Sequence, residues 1–124
     1  MKQKQVLLIE SEFYPRVRMD DELARHGYQV TAVKKIKDAF FKMKTQVFQL
    51  LLMSYDDDIN SALRLMATLR QTGNQIPVVL LAKRPTEDQL IQLSAYRPLE
   101  LVIKPYSLLG LIQRMEQLLE QESP

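Results

Sequence analysis

Several residues with chemically useful side chains follow short apolar runs in this sequence of 124 residues. Glu10 and Glu12 come directly after the apolar residues 6–9, Asp56 lies shortly after a second run, and Lys104 follows a third. Carboxylates at such positions can bind a divalent cation, which prefers oxygen ligands, and a lysine can bind an anion such as phosphate. We therefore look for chemistry first at the ends of these apolar runs.

The motifs of familiar catalytic sites do not occur in the sequence. It has no glycine-rich phosphate loop, no HExxH zinc motif and no nucleophile elbow. It also has no cysteine, which excludes disulfides and metal sites built from thiolates. The single histidine, His26, precedes Gly27 at the predicted end of a helix, far from the ends of the apolar runs. The sequence does not predict an enzyme.

Short apolar runs alternate with amphipathic stretches along the whole chain. Such runs are typical of strands that are buried on both faces of a sheet, and the stretches between them have helical spacing. The predicted strands are residues 6–9, 28–33, 47–53, 76–82 and 99–103. The first two predicted helices are residues 14–26 and 37–44. The third is capped by Asn60 or Ser61 and ends near Thr72, and the last two are capped by Thr86 and Ser107.

This alternation predicts an α/β fold with one five-stranded parallel sheet and helices on both of its faces. Right-handed crossovers leave few topologies, and the flavodoxin-like strand order 2-1-3-4-5 is favoured. The length suits one domain, residues 1–124, with flexible ends at 1–4 and 121–124. No apolar run approaches the roughly 18 residues of a membrane helix, and the run 6–9 is too short for a signal peptide. We therefore expect a cytoplasmic location.

In a sheet with this strand order, ligands bind beyond the carboxyl ends of the strands, near the point where the strand order reverses. That point lies between the first and third strands. The residues predicted to follow the four relevant strands are Glu10, Ser11 and Glu12, then residues 54–58, then Ala82 and Lys83, and finally Lys104, Pro105 and Tyr106.

Four segments resemble a bacterial response-regulator receiver domain, and together they span nearly the whole chain. They are residues 6–12, 27–30, 76–82 and 102–106. The resemblance implies a signalling module whose phosphoacceptor aspartate ends the third strand, beside an acidic pair that binds Mg²⁺. It also implies a hydroxyl residue at the fourth strand, an aromatic switch residue in the fifth, and an invariant lysine joined by a cis peptide bond to a proline, here Lys104 and Pro105.

The chain departs from this pattern at four positions. Ser54 occupies the phosphoacceptor position, and Ser11 replaces the second acid of the magnesium pair. Ala82 replaces the hydroxyl residue, and Leu101 replaces the aromatic switch residue. A serine hydroxyl is barely ionised at neutral pH and would need a base to activate it. With Glu10 as the remaining acid of the pair, we expect that Mg²⁺ binding is lost and that no cofactor is bound.

Two alternatives remain for this end of the sheet. The acidic run from Asp56 to Asp58 could accept a phosphoryl group, although a solvated acidic loop explains the same run. A small molecule could also regulate the domain in place of phosphorylation. Lys104 either forms an ion pair with Glu10 or Glu12 or binds an anionic ligand, and we favour the ion pair.

A protein-binding surface is predicted on the fourth helix, fifth strand and fifth helix, which receivers use for dimers and targets. Its candidate residues are Leu90, Tyr96, Leu99, Leu101 and Tyr106. Tyrosine and leucine suit the core of an interface, but the same side chains can equally be buried against the sheet. A homodimer through this face is one form of such binding, and the identity of another partner or output domain is left open.

Lysines are concentrated in the segment from Lys34 to Lys44, whereas the whole chain has a net charge of only +2. Such a segment can attract nucleic acid or an anionic membrane surface, although it is more often the solvated face of a helix. Within it, Phe40 and Phe41 lie about 100° apart on a helix, so at least one is expected to be half-exposed. We predict a phosphorylation-independent receiver that acts by protein–protein interaction, with a nucleic-acid or membrane-surface binder as the alternative.

Overall fold

Five strands alternate with five helices in the computed structural model, which describes residues 3–55 and 59–121. The strands are β1 (Lys4–Ile9), β2 (Tyr28–Val33), β3 (Leu50–Tyr55), β4 (Val78–Ala82) and β5 (Leu99–Ile103). The helices are α1 (Phe13–Arg25), α2 (Ile36–Thr45), α3 (Ile59–Gln71), α4 (Glu87–Leu93) and α5 (Leu108–Gln121). None of these described helices has both the length and the apolar composition needed to cross a bilayer.

The strands form one parallel sheet in the order β2-β1-β3-β4-β5. The strand order reverses beside β1, and β2 and β5 are the two edges of the sheet. This arrangement confirms the predicted fold class, a flavodoxin-like α/β sheet with helices on both faces. The carboxyl ends of β1 and β3 therefore lie side by side, at the place where ligand sites of this fold class occur.

The sheet separates two hydrophobic cores because successive strand residues point to opposite faces. Leu51 and Leu80 belong to the core that α2, α3 and α4 cover. Leu52 and Leu81 belong to the core that α1 and α5 cover. All four side chains are at most 1% exposed. The central strands therefore carry apolar residues on both faces, which explains why they form continuous apolar runs in the sequence.

Three helix ends follow local sequence signals, as predicted. Gly27 ends α1 with a φ of 91°, which glycine adopts without steric cost. The hydroxyl of Thr86 accepts the N–H of Gln89, and the side chain of Gln89 accepts the N–H of Thr86, which together cap α4. The hydroxyl of Ser107 accepts the N–H of Gly110 at 2.9 Å in the first turn of α5. These short-range bonds fix where the helices begin and end.

The third strand lies further along the chain than predicted, at Leu50–Tyr55 rather than at residues 47–53. Val47 is apolar but 81% exposed, and it precedes the strand. Ser54 and Tyr55 belong to the strand because they pair in register with Leu81 and Ala82 of β4. Ser54 therefore lies inside the end of β3 and not beyond it, and Ala82 is likewise the last residue of β4.

The predicted cap of the third helix is also wrong. The helix begins at Ile59, so Asn60 and Ser61 lie within its first turn and do not precede it. Ile59 and Leu63 both pack against the core beneath α3, one helical turn apart. Burial of the Ile59 side chain therefore extends the helix further toward its N-terminus than the polar residues indicate.

Candidate functional site

The carboxyl ends of β3, β4 and β5 bring three of the predicted site residues together. Ser54 and Ala82 lie at the ends of β3 and β4, and Lys104 directly follows β5. The backbone N–H of Lys104 donates to the carbonyl oxygen of Ala82 at 2.8 Å. The side chains of Ser54 and Lys104 are half-buried, whereas Ala82 is fully buried. We call this group, with Glu10 and Ser11 at the end of β1, the strand-end site.

The amine of Lys104 donates a hydrogen bond to the hydroxyl oxygen of Ser54, with Nζ and Oγ 2.5 Å apart. The predicted ion pair of Lys104 with Glu10 or Glu12 is not found among the described residues. The carboxylate of Glu10 is instead engaged locally, because its Oε2 accepts the backbone N–H of Glu12 at 3.1 Å. The peptide bond between Lys104 and Pro105 is cis, as the resemblance implies.

Arg16 holds the loop that carries Glu10 and Ser11, a contact that the sequence reasoning missed. Its Nη1 donates to the carbonyl oxygens of Glu10 and Ser11 at 3.1 and 3.2 Å. The guanidinium also lies over the ring of Phe13, 5.7 Å from the ring centroid. No sequence motif predicts this contact, because it depends on the direction that the chain takes from β1 into α1.

The described residues of the strand-end site do not fit the magnesium ion that the resemblance implies. Mg²⁺ is usually bound through one or two carboxylates in octahedral geometry. Glu10 supplies a carboxylate, but Ser11 and Ser54 supply only neutral hydroxyls, and Ser54 already faces the amine of Lys104. Within residues 3–55 and 59–121, no three acidic, histidine or cysteine side chains are grouped to hold a metal. The acidic run from Asp56 to Asp58 lies outside the described residues.

Tyr55 follows Ser54 in β3 and points to the opposite face of the sheet, into the core beneath α3. Its side chain is buried, and its hydroxyl meets no hydrogen-bond partner among the described residues. Burial raises the pKa of this hydroxyl above its ordinary value. The sequence analysis did not predict a buried hydroxyl next to Ser54. It ended the third strand at residue 53, so Tyr55 was not recognised as part of the strand.

Comparison with known proteins rests on structure alone, because no protein-family model and no curated protein sequence matches the chain. The receiver domain of a Francisella response regulator superposes with a TM-score of 0.85 at 18% identity, covering 98% of this chain and 100% of that one. An orphan response regulator of H. pylori superposes with a TM-score of 0.83 at 21% identity, covering 95% and 98%.

The chain has the fold of a response-regulator receiver domain. The signal receiver domain of a putative Luxo repressor protein from Vibrio parahaemolyticus gives the same result, with a TM-score of 0.85 at 16% identity and coverage of 96% and 92%. These identities are low, and the fold therefore rests on the superposed backbone. In this receiver fold, Ser54 is the second-to-last residue of the third strand and Lys104 the residue after the fifth.

The predicted protein-binding face consists of α4, β5 and α5. Leu90 is exposed there, while Tyr96, Leu99 and Leu101 are half-buried against the core beneath α3 and α4. Tyr106 packs against the other core, toward α1. The most exposed apolar side chains of this face are ones that the sequence reasoning did not single out: Ile91 at 67%, Ile103 at 51% and Leu109 at 67%.

The lysine-rich segment forms the solvent-facing side of α2 and the loop before it. Its lysines are exposed except for Lys42, which is half-buried. Phe40 packs against the core, whereas Phe41 is exposed, so the prediction that one of the two would be half-exposed is confirmed. The lysines therefore lie mainly on a solvated helix face.

Proposed function

We propose that this chain is a receiver-like signalling module, not an enzyme, that works without phosphorylation and acts by binding another protein. One observation carries the proposal: near the end of β3, where the resemblance to receivers leads us to expect the phosphoacceptor, the hydroxyl of Ser54 accepts a hydrogen bond from Lys104. A receiver would need a carboxylate nucleophile at this place.

The chemistry at Ser54 argues against phosphoryl transfer. A serine hydroxyl needs a base to remove its proton, and a lysine amine that donates to the hydroxyl oxygen does not act as that base. The carboxylate of Glu10 is turned toward the backbone of its own loop. A serine phosphate would also be a stable ester, unsuited to a signal that must be rapidly reversed.

Loss of the magnesium ion belongs to the same proposal. One carboxylate and two neutral hydroxyls leave too little negative charge to draw Mg²⁺ away from its water shell. The amine of Lys104 adds positive charge at the same site. We therefore expect that the site binds neither the metal nor a phosphoryl mimic.

Protein binding would use the face formed by α4, β5 and α5. Ile91, Ile103 and Leu109 place apolar surface there, and the rim carries an ion pair between Glu100 and Arg114 with 3.5 Å between the charged atoms. A face that holds both signs of charge around apolar side chains can be complementary to a second copy of itself. A homodimer through this face is the form of binding that we propose.

The test is titration with beryllofluoride and Mg²⁺, followed by fluorine NMR. The matched control is the triple variant Ser11→Asp, Ser54→Asp, Ala82→Thr, which supplies the missing carboxylates and hydroxyl. We expect no bound fluorine signal with the natural chain and a bound signal with the triple variant. A bound signal with the natural chain at one equivalent would overturn the proposal.

A further inference from the structure

A groove of about 480 Å³ lies between α1 and the junction of β5 with α5, next to the strand-end site, with which it shares Lys104. Its walls carry the rings of Tyr14 and Tyr106 and the apolar side chains of Met19 and Leu108. Small-molecule sites in proteins typically occupy about 300–1,000 Å³ and are lined mainly by apolar and aromatic side chains with a few polar groups. The groove has both the size and the lining of such a site.

The charged residues that line the groove are Arg18, Glu22 and Lys104. Arg18 donates through Nε to Oε1 of Glu22 at 2.9 Å, and this bond fixes the guanidinium along the groove wall. The bond uses only Nε, so the terminal nitrogens of Arg18 keep the capacity to donate to an acidic group of a ligand.

The hydroxyl of Tyr106 supplies a further donor in the groove. It is directed at Sδ of Met19, 3.9 Å away, and a thioether sulfur is a weak acceptor. Burial, together with the carboxylates of Glu22 and Glu10, raises the pKa of Tyr106, so the hydroxyl keeps its proton at neutral pH. A ligand oxygen in the groove would be a better acceptor for this proton than the sulfur.

We propose that this groove binds a flat, largely apolar small molecule with one acidic group, such as an aromatic carboxylate or sulfonate. The ring of the ligand lies against Tyr14 and Leu108, and its acidic group accepts hydrogen bonds from Arg18 and Tyr106. An aromatic acid matches the groove because it combines ring surface for the apolar walls with acceptor oxygens for the terminal nitrogens of Arg18 and the hydroxyl of Tyr106.

The position of the groove gives such a ligand a regulatory role, and this role rests on the proposed function. Lys104 lines the groove and also bonds to Ser54, while Tyr106 lies in the segment that joins β5 to α5. A ligand in the groove therefore contacts the segment between β5 and α5, which is next to the proposed dimer face. In this proposal, a bound ligand regulates the dimer face in place of phosphorylation.

The experiment uses anilinonaphthalene sulfonate, an aromatic sulfonate, as the probe for the intact folded chain. Binding is followed by its fluorescence and by shifts of backbone amide signals in NMR. We expect saturation at one equivalent, with the largest amide shifts at Met19, Tyr106 and their neighbours. Binding that does not saturate, or shifts spread over both faces of the sheet, would overturn the proposal.

Three variants make the test specific to the groove. Tyr14→Ser and Arg18→Gln change exposed side chains, so both variants are expected to fold, and each should raise the Kd about fivefold or more. Phe41→Ser removes an exposed ring from α2 on the other face of the sheet and should leave the Kd unchanged. Equal weakening by all three variants would contradict the groove as the site. Because the probe and beryllofluoride are titrated separately, failure of this proposal is distinct from failure of the proposed function.

Discussion

At the end of β3, the side chains of Ser54 and Tyr55 point to opposite faces of the sheet because successive strand residues alternate. Ser54 meets the amine of Lys104, and Tyr55 enters the core beneath α3. Ser54 therefore contributes to the chemistry of the strand-end site, and Tyr55 contributes to the packing of the core beneath α3. The two residues make separate predictions, one for phosphorylation and one for stability.

Replacing Tyr55 with phenylalanine tests the cost of its buried hydroxyl. The hydroxyl meets no hydrogen-bond partner among the described residues, so Tyr55→Phe removes an unsatisfied polar atom and keeps the ring. We expect the free energy of unfolding to rise by about 1 kcal/mol, measured by urea denaturation at neutral pH. A loss of stability of that size would show that the hydroxyl has a stabilising partner.

The same variant has a signature at alkaline pH. Burial raises the pKa of Tyr55 above 10.0, so above that pH the unfolded chain releases a proton that the folded chain still holds. The free energy of unfolding of the natural chain therefore falls as the pH rises above 10.0 and on through the raised pKa. Tyr55→Phe should fall less steeply over this window, and parallel curves for the two proteins would contradict the prediction.

The resemblance to receivers led us to expect Ser54 at the acceptor position and Lys104 in the same site, and the structure brings these two side chains into contact. The sequence analysis predicted an ion pair of Lys104 with Glu10 or Glu12, which is not found among the described residues. Glu10 and Glu12 carry the complementary charge, but the carboxylate of Glu10 binds the backbone of its own loop. That geometry depends on the turn from β1 into α1, which charge and spacing do not determine.

At the scale of elements, β5 is an edge strand whose residues are half-buried or exposed. Its outer edge is not paired with another strand of the described sheet, and Ile103 is more than half exposed. Exposed apolar side chains on an edge strand are a common basis for association between chains. We therefore expect β5 to form part of the proposed dimer interface.

The variant Ile103→Lys tests association through β5. A charge at the centre of the proposed interface should raise the Kd of the dimer at least about tenfold, measured by sedimentation equilibrium. Phe41→Lys is the matched control, since it places the same charge at an exposed apolar site on α2 and should leave the Kd unchanged. A natural chain that stays monomeric at high concentration would contradict the dimer.

The existence of every described element was predictable, but several boundaries were not, among them the end of β3 and the start of α3. The caps at Thr86 and Ser107 are hydrogen bonds between residues three positions apart, so they can be predicted from the local sequence. The end of β3 depends on pairing with β4, and the start of α3 depends on burial of Ile59. Both boundaries depend on contacts with residues distant in the sequence, so the pattern of nearby polar residues did not predict them.

At the scale of the whole molecule, one sheet with a core on each face explains why the fold was predictable. β3 and β4 are buried on both faces, and this burial imposes the apolar runs from which the strand order was inferred. The groove between α1 and the β5–α5 junction was not predictable, since it arises where two distant segments approach each other. Superposition on known receivers agrees with the fold at identities of 16–21%.

Intact-protein mass spectrometry after incubation with acetyl phosphate and Mg²⁺ tests the central claim most directly. The control is the triple variant Ser11→Asp, Ser54→Asp, Ala82→Thr under the same conditions. With Ser54 bonded to Lys104 at the acceptor position, the natural chain should keep its original mass, and the triple variant should gain one phosphoryl group. A gain of one phosphoryl group by the natural chain, mapped to Asp56, Asp57, Asp58 or Ser54, would contradict the account.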